Sequence, residues 1–154
     1  MARSRLAVIV ESSDDAIISK DLDGNITTWN QGAERLYGYP AEEVIGRPIS
    51  MLAPSDRVDE LPRILDRLKR GERIERYETV RICRDGRRVD VSLSISPMSN
   101  GSGKVLGASV IAQDITDRKR AEAAFRFSEQ RARAFLDNSA IIEVLRKPSF
   151  APKA

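Results

Sequence analysis

Histidine is absent from the 154 residues, and cysteine occurs once, as Cys83. Without imidazole the chain lacks the commonest general base and metal ligand, and the phosphoacceptor of a histidine kinase. Any catalysis would have to run on carboxylates, lysine or metal-bound oxygen. One thiol makes no intrachain disulfide and no thiolate zinc site, so Cys83 reads as a small strand residue. No stretch approaches the ~20 apolar residues of a membrane span. The apolar run of residues 6–10 is too short for a signal peptide and is followed at once by Glu11, Asp14 and Asp15. These absences predict a cytoplasmic chain with no membrane insertion and no metal site.

A hydrophobic content of 41% supports one domain with a core and an appendage, not two domains. The net charge of +3 is unevenly spread. Residues 1–116 hold 17 basic and 18 acidic residues, residues 117–154 hold 9 and 5, so the basic character belongs to the tail. There it alternates with Glu122, Glu129, Asp137 and Glu143, the pattern of a solvated helix paired at three- and four-residue spacing. A nucleic-acid contact by this tail is a weaker reading.

Along the chain, A-I-I-S (16–19) and I-T-T-W (26–29) flank an Asp-Gly-Asn turn at Asp23 and predict a hairpin. Asn30 suits a helix N-cap, Gly38 a helix end, and Pro40 opens a short helix that stops at Gly46. Residues 47–57, broken by Pro48 and Pro54, read as irregular with one or two helical turns. From 58 to 70, Val58, Leu61, Ile64, Leu65 and Leu68 recur three or four apart, an amphipathic helix with one buried stripe that has to start near Asp59 because of Pro62. After Gly71 the period becomes two. Residues 77–83, a turn at Asp85-Gly86, residues 89–98, a turn at N-G-S-G (100–103) and residues 105–112 predict three antiparallel strands. Val89, Val91, Leu93 and Ile95 share one face of the middle strand. Two strands, several helices, then three strands is an α+β order with one sheet face covered by helices.

Catalytic motifs are scarce, and no catalytic residue is assigned. N-G-S-G-K-V-L-G (100–107) lacks phosphate-loop spacing and sits between strands. Asp14-Asp15 and Glu42-Glu43 are sequence neighbours whose side chains diverge, so neither pair forms an obvious acid/base dyad.

D-x-D-G-N-I-x-x-W-N, A-E-R-L-Y-G-Y, E-E-V-I-G-R, R-D-G-R-R-V-D-V and D-I-T-D-R-K-R-A-E, in that order, resemble a PAS domain of the kind found upstream of histidine kinases and diguanylate cyclases. The resemblance spans residues 12–122. It implies a five-stranded antiparallel sheet cradling helices, a C-terminal signalling helix, and often a small-molecule pocket between the inner sheet face and the helix at 58–70. Carried onto this chain, the inward positions are Leu65, Leu68, Tyr77, Val91, Leu93, Ile95, Val110 and Ala112. Core filling explains each of the eight as well, with Tyr77 the exception, since a buried hydroxyl needs a partner.

The ligand stays unnamed. Haem-binding members use a histidine near the long helix, and this chain has none; photoactive flavin members place a cysteine where Ile49 stands and a glutamine where Ala112 stands. In the family D-I-T hands the signal to the next helix, which gives Asp114 and Thr116 a coupling role, with Thr116 as N-cap. Ala121, Phe125, Ser128, Ala132, Phe135, Ser139 and Ile142 then form a weak heptad stripe, open to two readings: a helix folded on its own sheet or a two-stranded coil. F-L-D-N-S-A-I-I-E-V-L (135–145) echoes residues 8–19, the opening of a second, uncompleted PAS domain. The expected organisation is a lead-in (1–11), a PAS core (12–116), a linker helix (117–136) and a tail (137–154). The expected function is a sensory module that binds a small molecule or partner, forms a homodimer and relays to an output domain; the alternative is a ligand-free dimerisation or spacer module.

Overall fold

The computed structural model describes residues 5–146, with side chains described as far as residue 138. The chain divides after Thr116 into two units. In the first, helix α1 (Arg5–Ser12) leads into the hairpin of β1 (Ala16–Asp21) and β2 (Ile26–Trp29). Helices α2 (Gln31–Tyr37) and α3 (Ala41–Val44), two 3-10 turns (Ile49–Leu52 and Ser55–Arg57) and helix α4 (Glu60–Lys69) follow. Strands β3 (Ile74–Ile82), β4 (Arg88–Ser99) and β5 (Val105–Asp114) complete an antiparallel sheet in the order β2-β1-β5-β4-β3. This is the expected α+β fold. A single helix, α5 (Thr116–Arg146), follows, and the second unit takes it from Asp117 on. The first four residues of the lead-in and residues 147–154 of the tail lie outside the described residues.

All three hairpin turns use an Asp or Asn oxygen to collect turn amides. Asp21 Oδ1 accepts from the backbone of Asp23 and Asn25 (2.9 Å each), Asp85 Oδ1 from Arg87 (2.9 Å), and Asn100 Oδ1 from Ser102 and Lys104 (3.0 Å each). The first of these extends β1 two residues past Ser19, where the apolar run ends. Lys20, just past that run, is therefore a strand residue opposite Ile26 and Ala108. Gly107 allows the close approach there: a Cβ on it would lie 2.1 Å from the Lys20 carbonyl oxygen.

Strand parity then builds the core. The row Val89, Val91, Leu93 and Ile95 is buried as expected, as are Ala16 and Ile18 of β1 and Ala108, Val110 and Ala112 of β5. Helix α4 covers this face with Ile64 and Leu68. Val58 departs from the expected stripe: α4 begins after it, and it is 50% exposed. The third buried residue of α4 is instead its first, the charged Glu60.

Two polar hubs hold the helices. Asn30 is buried and uses its whole amide: Oδ1 accepts from Ala33 N (2.9 Å) and Ile17 N (2.8 Å), while Nδ2 donates to Val10 O (2.7 Å) and Asp15 O (3.0 Å). It caps α2, as its sequence position predicts, and also ties α1 and β1 to that cap. Glu60 is the second hub. Its carboxylate accepts from Arg81 Nη1 (3.0 Å), from the Thr79 hydroxyl (2.7 Å to Oε2) and from Arg57 Nη1 (3.3 Å). The Glu60 and Arg81 side chains are each 6% exposed. Burial alone would raise the Glu60 carboxyl, but the hydrogen bonds from Thr79 and Arg81 outweigh it and hold the group below its ordinary 4.5.

Asn30→Ala should cost about 2–4 kcal/mol in urea unfolding, because a cap and two carbonyl partners go together. Asn30→Asp, which keeps the cap acceptor but faces two carbonyls with a carboxylate, should be no better. Removing the Glu60 carboxylate by Glu60→Ala strands the Arg81 guanidinium and should cost roughly 3 kcal/mol, largely recovered in the apolar pair Glu60→Leu with Arg81→Met. Because the native carboxyl is depressed, its stabilisation is complete above pH 4.5 and is lost as the pH falls through the lower native value. The wild-type minus Glu60→Gln stability difference, followed by denaturant midpoint, should shrink across that acidic window.

Candidate functional site

Beneath α4 the inner face does not close completely. An internal cavity of about 20 Å³, room for one water, lies among Ile18, Tyr37, Leu52, Ile64, Leu93, Ile95 and Val110, with Lys20 and Arg81 also on its wall. Next to it a groove of about 240 Å³ opens between the β1–β2 turn, Pro48 to Ser50, and Leu61, Pro62 and Leu65 of α4. Lys20, Ile49 and Leu61 line both spaces and form the partition between them. A larger cleft of about 410 Å³ lies at the β3–β4 turn, but it is open, and two of its three arginines are in ion pairs: Arg35 with Asp14 (3.6 Å) and Arg84 with Glu43 (3.1 Å). Cys83, beside that cleft, is buried and donates to Leu36 O (3.3 Å), and burial pushes its thiol up.

The eight inward positions are divided among these spaces. Leu93, Ile95 and Val110 line the internal cavity, and Leu65 lines the groove. Tyr77 is half-buried in a separate shallow cleft with Glu60 and Arg63, where burial and then the Glu60 charge raise its hydroxyl. Leu68 and Val91 are buried in the core and line neither space; Ala112 is buried toward a shallow cleft at Asp14 and Asp114. Ile49, the position where a photoactive flavin domain would carry cysteine, is on the partition itself.

Sequence reading missed the polar residues of this face. Lys20, Thr79 and Arg81 occupy inward strand positions and are buried. Parity marks them: Lys20 continues Ala16 and Ile18, and Arg81 lies between the inward Thr79 and Cys83. Glu60 answers Arg81, whereas the ammonium of Lys20, a residue 6% exposed, makes no hydrogen bond or ion pair among the described residues. Burial, then the neighbouring Arg81 charge, lowers the Lys20 ammonium from its ordinary value.

At the far end of β5, Asp114 rather than Thr116 supplies the helix cap: Asp114 Oδ1 accepts from Thr116 N (2.9 Å). The Thr116 hydroxyl is buried with no hydrogen-bond partner. Between them Ile115 is buried, and its N–H donates to Asp90 O on β4 (2.9 Å). Three residues lie between Val110, on the cavity wall, and Asp114. Among the described residues no group of three or more His, Cys, Asp or Glu could hold a metal ion, and no helix is long and apolar enough to cross a membrane.

The family model described as PAS fold matches residues 4–115. Two-component system protein A of Emericella nidulans is 41% identical over 138 residues, covering 85% of this chain and 20% of that protein. The signal transduction histidine-protein kinase AtoS of Escherichia coli is 34% identical over 125 residues, 81% of this chain and 20% of the kinase. This chain thus spans about a fifth of the length of these relatives. A crystal structure of a PAS domain from Colwellia psychrerythraea superposes with a TM-score of 0.67 at 30% identity, covering 73% of this chain and 96% of that one. An RNA-binding light-oxygen-voltage receptor gives a TM-score of 0.69 at 25% identity over 80% of this chain and 36% of its own. Family model, relatives and solved folds agree, and this chain belongs to the PAS family.

Proposed function

We propose that this PAS domain is a cytoplasmic sensory module that takes a small molecule, or a partner, at the groove beneath α4 and relays its presence through α5 to an output domain. It is not itself a catalyst in this reading. The observation that carries it is the continuity of β5: Val110 touches the cavity, and Asp114, on the same strand, caps the first turn of α5. A strand hydrogen-bonded on both sides moves as a unit, so a shift at Val110 reaches the cap without an intervening loop. Signalling relatives such as the kinase and two-component protein above support the relay. Exposed apolar residues on α1 (Leu6, Ile9) and on α5 (Phe125, Phe135) support a homodimer.

The ligand-free spacer reading is favoured by one observation, the size of the internal cavity, which admits a water and nothing larger. Native mass spectrometry of the purified chain separates the two: a retained small molecule supports sensing, and an empty dimer from several expression hosts supports the spacer. For the relay, Asp114→Ala should leave ligand affinity within about twofold while abolishing the ligand-dependent change in hydrogen exchange of the first α5 turn. Equal loss of folding and binding in this variant would reduce Asp114 to a structural cap.

A further inference from the structure

We propose that the groove selects a small amphipathic monocarboxylic acid, its carboxylate on the Lys20 ammonium and its apolar body on Pro48, Ile49, Leu61, Pro62 and Leu65. The inference rests on the small-molecule reading of this site and adds the chemical class.

The warrant is an unanswered cation. Lys20 is more than nine-tenths buried and lines both cavity and groove, and its ammonium has no hydrogen-bond or ion-pair partner among the described residues. Among the described residues Thr116 Oγ1 is the one buried side-chain polar atom without a partner. The Lys20 stem is therefore buried while its ammonium reaches solvent, where the nearby Arg81 charge disfavours it in the absence of an anion. The neighbouring carboxylates are otherwise committed or out of reach. Glu60 is held by Arg81, Thr79 and Arg57. Asp21 Oδ1 collects the turn amides, and Asp23, on the groove lining, makes no ion pair with Lys20. An anion from outside would supply what the fold withholds.

The walls narrow the class. The lining is mainly apolar, with one ammonium and no free guanidinium fork, which suits a single carboxylate better than a phosphate. Asp23 on the rim disfavours a second negative charge on the ligand. The groove, about 240 Å³, is smaller than the ~300–1,000 Å³ of pockets for drug-sized molecules, which points to a short chain or one small ring.

Calorimetry on the full chain with sodium hexanoate, hexan-1-ol and inorganic phosphate tests this. Hexanoate should bind the wild type about tenfold or more tightly than hexanol, the size of a charge-assisted hydrogen bond. In Lys20→Met, which fills the same volume without charge, hexanoate should lose about that factor while hexanol is unaffected. Equal binding of hexanol and hexanoate to the wild type, a comparison that needs no variant, would overturn the acid class while leaving a sensing groove. Undiminished hexanoate binding by Lys20→Met would overturn the Lys20 contact, and displacement of hexanoate by phosphate would make this an inorganic anion site instead. If no probe binds, the inference falls. The sensing reading is judged separately, by whether the native mass spectrum retains any molecule of whatever charge.

Discussion

The inner face of the sheet carries two cations, and the seating of α4 depends on how one of them is neutralised. Arg81 has no other direction to point, because β3 alternates and its neighbours Thr79 and Cys83 are inward too. Glu60 meets it at 3.0 Å from the first turn of α4, and Thr79 and Arg57 complete the carboxylate's hydrogen bonds. A buried pair of this kind adds little stability over a hydrophobic substitute, but it specifies position: only one placement of α4 brings Glu60 over Arg81. With that end fixed, Ile64 and Leu68 fall onto the apolar rows, and Leu61 and Leu65 are left along the groove.

Lys20 occupies the corresponding inward place on β1 without a counterion, and the asymmetry between the two cations distinguishes core from site. Both cations line the small cavity, but only the unmatched one also lines the apolar groove beside α4. The close passage of β5 at Gly107 keeps β1 in register, so Lys20 cannot slide outward to solvent without breaking ladder hydrogen bonds on both sides. The same β5 is the strand that runs on to Asp114, so one central element both touches the cavity and ends at the residue that bonds the first amide of α5.

Much of this was legible in the sequence. The order of strands and helices, the turns at Asp85-Gly86 and Asn100, the Asn30 cap, the start of α4 just ahead of Pro62 and the apolar row of β4 all follow from local rules of turn chemistry and periodicity. That Leu93 and Ile95 face inward followed from the same alternation, whereas their place at a pocket, and that of Val110, was what the PAS resemblance implied. Val58 was misjudged because helical spacing extends a stripe beyond the point where the helix begins. Lys20, Glu60 and Arg81 were passed over because charged residues default to solvent in any reading of single positions.

The sequence by itself determined the fold and the family, since hydrophobic periods, Asx turns and caps act over a few residues and are written contiguously. Its lack of histidine also determined which metal and phosphotransfer chemistry this domain does not perform with its own imidazole. Only the tertiary structure decided which charges are buried and which of them is answered. Glu60 and Arg81 are 21 residues apart and meet only when α4 lies across β3, while Lys20 is committed inward only once β1 is known to continue to Asp21. Electrostatic pairing depends on distance in space, and strand alternation exposes it only after the strand ends are fixed.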